Sequence, residues 1–420
     1  MNEDFLQFVW LYQYFTHFDL KTITGQSIFI EKNGFLNTDA GPDFQEAIVT
    51  IDKVKWAGNI EIHVRSSDWL KHKHQHDKAY ENVILHVVWE HDKEIGLNAP
   101  TLVLKEYVSP SLLDKYLFLK QNLELVPCKS QIHKVHSLVK TNMLEKALIQ
   151  RLERKSQEVI SLYQTNTDWL ETAYQLLLKY MGFKVNNDAF LTLAKAIPLK
   201  VLQKHRDQLL QLEALLFGQS GLLNETDVYS NQLKKEYTFL AAKYRLPQPM
   251  DVSRWKFLRL RPPNFPTIRI AQIAALIHKE DSFFSLFLDI KNGEMLHKKG
   301  KVKVSDYWCK HYHFGKIKAI ESSGNLGASS IDGIAINVVT PLKFAYAIHQ
   351  ANENLKESTI DFLASLKQES NNKVKKMVEI GFDVKSASAS QAAIELLDNY
   401  CSKKQCLKCS IGVSLLNSKA

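Results

Sequence analysis

The apolar residues of this chain change their spacing once, near residue 110, and that change limits the folds open to it. Before that point they alternate with polar residues, as in AIVTID and NIEIHV, which is the spacing of β-strands. After it they recur every three or four residues, as in DWLETAYQLLLKYMGF, which is the spacing of amphipathic helices. The sequence therefore predicts an α+β protein, with an N-terminal α/β domain followed by a mostly α-helical region.

The α/β domain is expected at residues 1–110, with the order helix, three strands, helix, strand and one further strand. Ser67 or Asp68 is expected to cap its second helix. A helical domain follows at 111–300, interrupted by the prolines of RPPNFP. A C-terminal, mostly helical region with a cysteine cluster completes the chain at 301–420.

One predicted strand carries polar side chains on a whole face. Four residues of NIEIHVR share that face: Asn59, Glu61, His63 and Arg65. An edge strand facing water explains such a face, and so does a catalytic cleft. Asp43, at the mouth of the preceding strand, can converge with Glu61 at one end of the sheet. Because two carboxylates held close repel each other, a divalent cation between them is favourable, and it can activate a water against a phosphoryl group.

The Pro-Asp dipeptide ending at Asp43, together with Glu61, His63 and the order of elements around them, resembles the PD-(D/E)xK nucleases of the restriction-endonuclease-like superfamily. The resemblance covers the α/β domain only. It implies that Asp43 and Glu61 bind Mg²⁺ or Mn²⁺. In that family a lysine stabilises the attacking hydroxide, but His63 stands in its place here, and Lys71 or Lys73 is the alternative source of charge. A neutral imidazole can act as a base or a ligand but supplies no fixed charge.

The chain as a whole is similar to an uncharacterised bacterial family, domain of unknown function 2851. The similarity lies in GPDFQEAIVTID, in WAGNIEIHVRSSDWLKHKHQHDKAYENVILHVVWEHD, in RPPNFPTIRIAQ and in the cysteine-bearing end. This resemblance implies no known activity, so the function has to be inferred from the residues.

Histidines are concentrated beside the two acids. Six of the 15 lie between His63 and His91. If their strands pair, His63 and His86 lie side by side. Because imidazole suits zinc, manganese and iron as well as proton transfer, we expect Asp43, Glu61, His63 and His86 to bind a metal. Asp43, Glu61 and His63 are the predicted catalytic residues. A solvated helix surface with one buried, hydrogen-bonded histidine is the alternative interpretation.

A second cluster of possible ligands lies near the C-terminus. Cys401, Cys406 and Cys409 fall within nine residues and have spacings that can surround zinc or an iron–sulfur cluster. A fourth ligand has to come from elsewhere: Cys309 is the first choice and Cys128 the second. The alternative is a set of buried, unligated cysteines, which behave as small apolar residues.

Charge and composition narrow the class of protein. The net charge of +9 favours an anionic partner, and we expect nucleic acid. Four arginines surround the RPPNFP turn: Arg254, Arg259, Arg261 and Arg269. The sequence shows no uninterrupted apolar run long enough for a membrane span and no secretory signal, and the odd number of cysteines favours a reducing cytoplasm.

The sequence therefore predicts a metal-dependent nuclease that hydrolyses phosphodiester bonds. Two alternatives stay open. One is a non-catalytic nucleic-acid-binding protein on the same fold, which needs the basic surface but not the acid pair. The other is a metal hydrolase of a different kind that uses the histidine cluster.

Overall fold

The structure is a computed structural model that describes residues 2–223 and 227–417. Its contacts divide the chain into two compact units. Unit 1 contains Met1–Met143 and Leu397–Ala420, and unit 2 contains Leu144–Leu396. The C-terminal segment thus folds with the N-terminal part of the chain.

Unit 1 is built on a mixed β-sheet. Its elements, in chain order, are α1 (Glu3–Leu11), β1 (Ile28–Lys32), β2 (Phe35–Leu36), β3 (Phe44–Ile51), β4 (Val54–Arg65), α2 (Asp68–Lys71), β5 (Val83–Glu90), β6 (Thr101–Val103) and α3 (Pro110–Gln121). The strand order is β1-β3-β4-β5-β6, and β2 also pairs with β3. The pairs β1–β3 and β3–β4 are antiparallel, whereas β4–β5 and β5–β6 are parallel. The predicted sequence of elements is therefore present.

The polar face of β4 lies in the interior of unit 1. Ile60 and Ile62, on one face, are 0% and 1% exposed. Glu61 and His63, on the other face, are 5% and 1% exposed, because β4 lies between β3 and β5 and contacts both α1 and α2. The edge-strand interpretation is therefore wrong for these two residues. A carboxyl and an imidazole buried on a central strand require partners in the protein or a bound ligand.

The helix predicted after Ser67 is much shorter than its sequence suggests. It ends at Lys71 because Lys73 adopts a left-handed backbone conformation, with φ of 64°. Two 3₁₀ turns follow, at His74–His76 and Lys78–Tyr80. The Ser67 hydroxyl does not cap the helix, since it donates to Asp92 Oδ2 at 2.7 Å. The left-handed residue reverses the direction of the chain just before His74.

Unit 2 is almost entirely helical. Its elements are α4 (Ser137–Asn166, which starts in unit 1), α5 (Trp169–Met181), α6 (Asn187–Ala196), α7 (Leu199–Gln203), α8 (Leu209–Gln219), α9 (Val228–Tyr244), α10 (Pro266–Lys279), α11 (Phe283–Asp289), α12 (Gly293–Lys299), α13 (Asp306–Lys310), β7 (His311–His313), β8 (Lys316–Ile317), α14 (Ala328–Ile334), α15 (Thr340–His349), α16 (Glu353–Ser365), α17 (Asn372–Ile380) and α18 (Ala387–Glu395). The chain then returns to unit 1 with α19 (Ser410–Asn417). A helical region thus follows the sheet, as predicted.

One helical segment of unit 2 meets the length and composition expected of a membrane span. It runs over Ala328–His349, and 72% of its apolar window is buried inside the protein. A core helix of a water-exposed protein passes the same test, so the segment is weak support for a membrane location.

Candidate metal centre

The sheet brings the four predicted metal-site residues of unit 1 together. Asp43 immediately precedes β3, Glu61 and His63 lie on β4, and His86 lies on β5. Glu61 and His86 are register partners across the parallel β4–β5 pair. The antiparallel β3–β4 pair places Phe44, next to Asp43, opposite Ile60. The convergence of Asp43 and Glu61 expected from the sequence is therefore present.

The two acids are held by each other's backbone. The Asp43 amide donates to Glu61 Oε2 at 3.1 Å, and the Ile62 amide donates to Asp43 Oδ2 at 3.0 Å. Gln7 Nε2, from α1, donates to Asp43 Oδ1 at 2.8 Å. Burial raises the pKa of both carboxyl groups, and the charge of Asp43 raises that of Glu61 further. A positive charge at this position would stabilise both ionised carboxylates.

The second oxygen of Glu61 faces two histidines. Glu61 Oε1 lies 3.4 Å from His63 Nε2 and 3.3 Å from His74 Nε2. Among the described residues, neither nitrogen has a hydrogen-bond partner, although both atoms are buried. Burial, and then the neighbouring imidazoles, lower the pKa of His63 to about 2, so its contact with Glu61 is not an ion pair at neutral pH. Glu61 Oε1 thus faces two imidazole nitrogens that have no hydrogen-bond partner among the described residues.

Their spacing is the spacing of ligands around one metal ion. With metal–ligand bonds of about 2.0–2.2 Å and tetrahedral angles, neighbouring ligand atoms lie about 3.3–3.6 Å apart. The separations of Glu61 Oε1 from the two Nε2 atoms, 3.4 and 3.3 Å, fall at this spacing. His72 adds a third imidazole, because ligand nitrogens of His63, His72 and His74 all lie within 4.8 Å of one another. The residues present fit a divalent cation held by Glu61, His63 and His74.

His86 lies behind His63 in this arrangement. Its Nε2 is 2.9 Å from His63 Nδ1, and its side chain is fully buried. If His63 binds an ion through Nε2, its proton has to be on Nδ1, where His86 Nε2 accepts it. Burial lowers the pKa of His86 to about 3, so it is neutral and able to accept. The geometry therefore gives His86 the role of orienting His63, whereas the sequence predicts it as a ligand.

Aromatic rings fix the orientation of His74. Tyr80 stacks on it with 3.8 Å between ring centroids, and Trp69 contacts it edge-on. Trp69 also contacts the edges of His63 and His86. Because the left-handed turn at Lys73 precedes it, His74 is directed toward Glu61, whereas His76 is exposed.

Some residues of the site were not predicted as members of it. Gln7 carries no sequence signal beyond its position in an amphipathic helix. His74 belongs to the HKHQH run, but helical spacing groups His72 with His76 instead. Glu3, on the first turn of α1, lies close enough for its charge to raise the pKa of Asp43 and Glu61.

Lys71, one of the two lysines considered as the alternative source of charge, is exposed and forms an ion pair with Asp68 at 3.6 Å.

Cys309 lies in a different unit from the other candidate thiol ligands. Cys401, Cys406 and Cys409 lie in unit 1, and so does Cys128. The thiol of Cys401 interacts electrostatically with Cys128, Cys409 and Cys406. Cys309 lies in α13 of unit 2, where its charged neighbours are Asp306, Lys318, Glu321 and Lys303. Of the two candidates for a fourth ligand, Cys128 therefore shares a unit with the other three cysteines, and Cys309 does not.

The arginines of the RPPNFP turn fall into two groups. Arg269 is buried, donates to Asn264 Oδ1 at 2.6 Å and to Ser330 Oγ at 3.1 Å, and so has a structural role. The other three, Arg254, Arg259 and Arg261, are exposed.

Comparison with known proteins gives one match. The model of a family described as "Protein of unknown function (DUF2851)" matches residues 3–372, which includes the whole candidate metal centre but not the C-terminal cysteines. No curated protein and no solved structure matches the chain.

Proposed function

We propose that this chain, which belongs to the DUF2851 family, is a metal-dependent nuclease that hydrolyses phosphodiester bonds of nucleic acid. One observation carries the proposal: Glu61 Oε1 lies at ligand spacing, 3.4 and 3.3 Å, from two buried imidazole nitrogens on its open side. Its other oxygen is tied to the backbone of Asp43. The site thus combines an acid pair with two ligands ready for a cation.

The topology of unit 1 supports a restriction-endonuclease-like fold. A helix precedes three antiparallel strands, β1, β3 and β4, and a short helix then leads to β5, which is parallel to β4. Asp43 at the start of β3 and Glu61 within β4 occupy the positions that the nuclease resemblance assigns to the two acids. His63 takes the place of the usual lysine, and it is directed at the proposed ion.

Each residue then has a defined task. A bound cation neutralises charge on the phosphoryl oxygens and lowers the pKa of a water. Glu61, His63 and His74 hold the cation, and three protein ligands leave a coordination position for water or substrate. Asp43, fixed by Gln7 and the Ile62 amide, supplies the negative charge beside Glu61. His72 is exposed next to the ligand nitrogens and is placed to move a proton to or from solvent.

The ligand set favours particular metals. Mg²⁺ prefers oxygen ligands and keeps several waters, whereas imidazole suits manganese, iron and zinc. With nitrogen ligands from His63 and His74, we expect Mn²⁺ to support cleavage better than Mg²⁺, and Zn²⁺ to bind more tightly than either.

The rim of the site suits a polyanion. The segment from Arg65, the last residue of β4, to the second 3₁₀ turn exposes four basic side chains: Arg65, Lys71, Lys73 and Lys78. Asp68 and Asp77 are its acidic residues. Lysine and arginine contacts to phosphates supply most of the sequence-independent binding of nucleic acid. Unit 2 has exposed arginines of its own, Arg254, Arg259 and Arg261.

The test is cleavage of supercoiled plasmid, single-stranded DNA and RNA by protein freed of metal and then supplied with Mg²⁺, Mn²⁺ or Zn²⁺. Glu61→Gln, His63→Ala and His74→Ala should each lower the rate by at least about 100-fold. His76→Ala, which changes an exposed histidine of the same segment, is the matched control and should cleave like the wild type. Absence of cleavage with every metal, or unchanged rates in the three variants, would contradict the proposal.

The nitrogen-rich ligand set also favours a second candidate, a metal hydrolase that acts on another ester. Three clustered imidazoles beside one carboxylate fit such an enzyme as well. Hydrolysis of small phosphodiesters and carboxylic esters, lost in His63→Ala but without cleavage of any nucleic acid, would select it. Salt-dependent DNA binding without hydrolysis would select the non-catalytic binding protein.

A further inference from the structure

We propose that Cys128, Cys401, Cys406 and Cys409 together bind one metal centre, a zinc ion or an iron–sulfur cluster. The four residues come from opposite ends of the chain. Cys128 lies between α3 and the 3₁₀ helix Lys129–Lys134, Cys401 ends the π-helix Leu396–Cys401, and the other two flank the turn before α19.

Packing between these segments brings the residues together. Helix α19 contacts both α3 and Lys129–Lys134, and the 3₁₀ turn Cys406–Lys408 contacts α19 and α1. Cys128, Cys401 and Cys409 are 8%, 9% and 7% exposed, and Cys406 is half-buried. The Cys401 thiol lies close enough to Cys128, Cys406 and Cys409 to interact with each electrostatically, so four of the five cysteines of the chain lie near one another in unit 1.

The turn that carries Cys406 and Cys409 has the form of a metal-binding loop. The Cys409 amide donates to the Cys406 carbonyl at 3.3 Å, so two residues separate thiols on one tight turn. This is the spacing with which paired cysteines approach one ion in structural zinc sites. Gly412 packs directly on the turn, since a Cβ atom there would lie 2.2 Å from the Cys406 carbonyl oxygen. Helix α19 therefore packs closely against the loop.

Positive charge lies at the edge of the cluster. Lys120 and Lys404 both lie close enough to Cys406 to interact electrostatically with its thiol. Lys404 Nζ also donates to the Lys120 carbonyl at 3.0 Å, which fixes it there. A metal with four thiolates carries net negative charge, and two lysines at its rim offset that charge. Four cysteines serving only as small apolar residues would not require them.

The proposed centre would tie the two ends of unit 1 to each other. The turn at Cys406–Lys408 contacts α1, the helix that carries Gln7 and Glu3 of the candidate nuclease site. This inference does not depend on the proposed function, because it rests on a different set of ligands.

The experiment is metal analysis of the full chain purified without oxygen and dialysed against EDTA, which removes a weakly held ion from Glu61 and its histidines. About one zinc or about four irons per chain should remain, and visible absorption distinguishes iron–sulfur from zinc. Cys128→Ser and Cys406→Ser should lose this metal. Cys309→Ser and His63→Ala should keep it.

A second measurement does not depend on whether the variants fold. A mercurial reagent added to the wild-type protein should release the retained metal, which a colorimetric chelator detects. The inference would be overturned if Cys309→Ser lost the retained metal. It would also be overturned if the wild-type protein held neither zinc nor iron after reconstitution. If the protein cleaved no nucleic acid but kept the cysteine-bound metal, that result would count against the proposed function and not against this inference.

Discussion

Replacement of His86 tests the most specific feature of the candidate site, the hydrogen bond by which His86 orients the proposed ligand His63. His86→Leu removes the acceptor 2.9 Å from His63 Nδ1 in a position that is fully buried. Because His63 is also buried, the Nδ1 proton is expected to stay unpaired when Nε2 binds the ion. An unpaired buried donor costs about 1–3 kcal/mol.

The expected loss of metal affinity follows from that cost. Removal of a partner that orients a metal-bound histidine typically lowers metal affinity by about 10–100-fold, or about 1.4–2.7 kcal/mol. This range matches the cost of the unpaired donor. His86→Gln keeps an acceptor at similar reach and should recover part of this loss. Isothermal titration of metal-free protein with Mn²⁺ and Zn²⁺ near neutral pH measures both effects, and His76→Leu is the control at an exposed histidine.

The reasoning would be refuted by either of two results. One is a His86→Leu variant that is folded by circular dichroism and binds the ion within twofold of the wild type. The other is a His86→Gln variant that binds no better than His86→Leu. Each would mean that His63 does not bind metal through Nε2 with its Nδ1 proton on His86.

Three further predictions concern unit 2. Burial raises the pKa of Glu213 to about 7, so between about pH 4.5 and pH 7 the folded state holds a proton that the unfolded state has released. The free energy of unfolding in urea should therefore fall by on the order of 3 kcal/mol as pH rises over this range. Glu213→Gln should flatten that decline, and an unchanged slope would contradict the prediction. Gly218→Ala places a Cβ atom 2.0 Å from a tyrosine ring of α9 and should lower the free energy of unfolding in urea by about 1–3 kcal/mol. Gly327→Ala has open space around the new Cβ atom and should leave that free energy unchanged. Equal effects of the two substitutions would show that the contact at Gly218 is not tight. Arg259→Ser with Arg261→Ser should reduce the slope of log affinity for DNA against log salt by about 2, and an unchanged slope would exclude them as phosphate contacts.

The sequence predicts the sheet of unit 1 well because its signals are local. The alternation in AIVTID and NIEIHV identifies β3 and β4, and the pairing of β4 with β5 follows from the helix between them. Once those strands pair, the meeting of Glu61, His63 and His86 is a consequence of register. The same pattern does not predict whether a polar strand face is solvent-exposed or buried. That depends on the elements that pack against β4.

Other parts of the site depend on features without a sequence signal. The left-handed conformation of Lys73 ends α2 and separates His74 from His76, but lysine is not a residue that marks such a turn. Gln7 reaches Asp43 only because α1 packs on β4. The choice of Cys128 over Cys309 depends on the return of the chain to unit 1 at Leu397, and spacing of apolar residues does not reveal which unit a late helix joins.

The most direct test is the anomalous scattering of a crystal of the full chain grown with Mn²⁺ or Zn²⁺. We predict a peak about 2.0–2.2 Å from Glu61 Oε1 and from the Nε2 atoms of His63 and His74, separate from any peak at the cysteines of unit 1. A fully occupied ion elsewhere in unit 1 away from the cysteines, or the absence of any peak between these three side chains at saturating metal, would contradict the account.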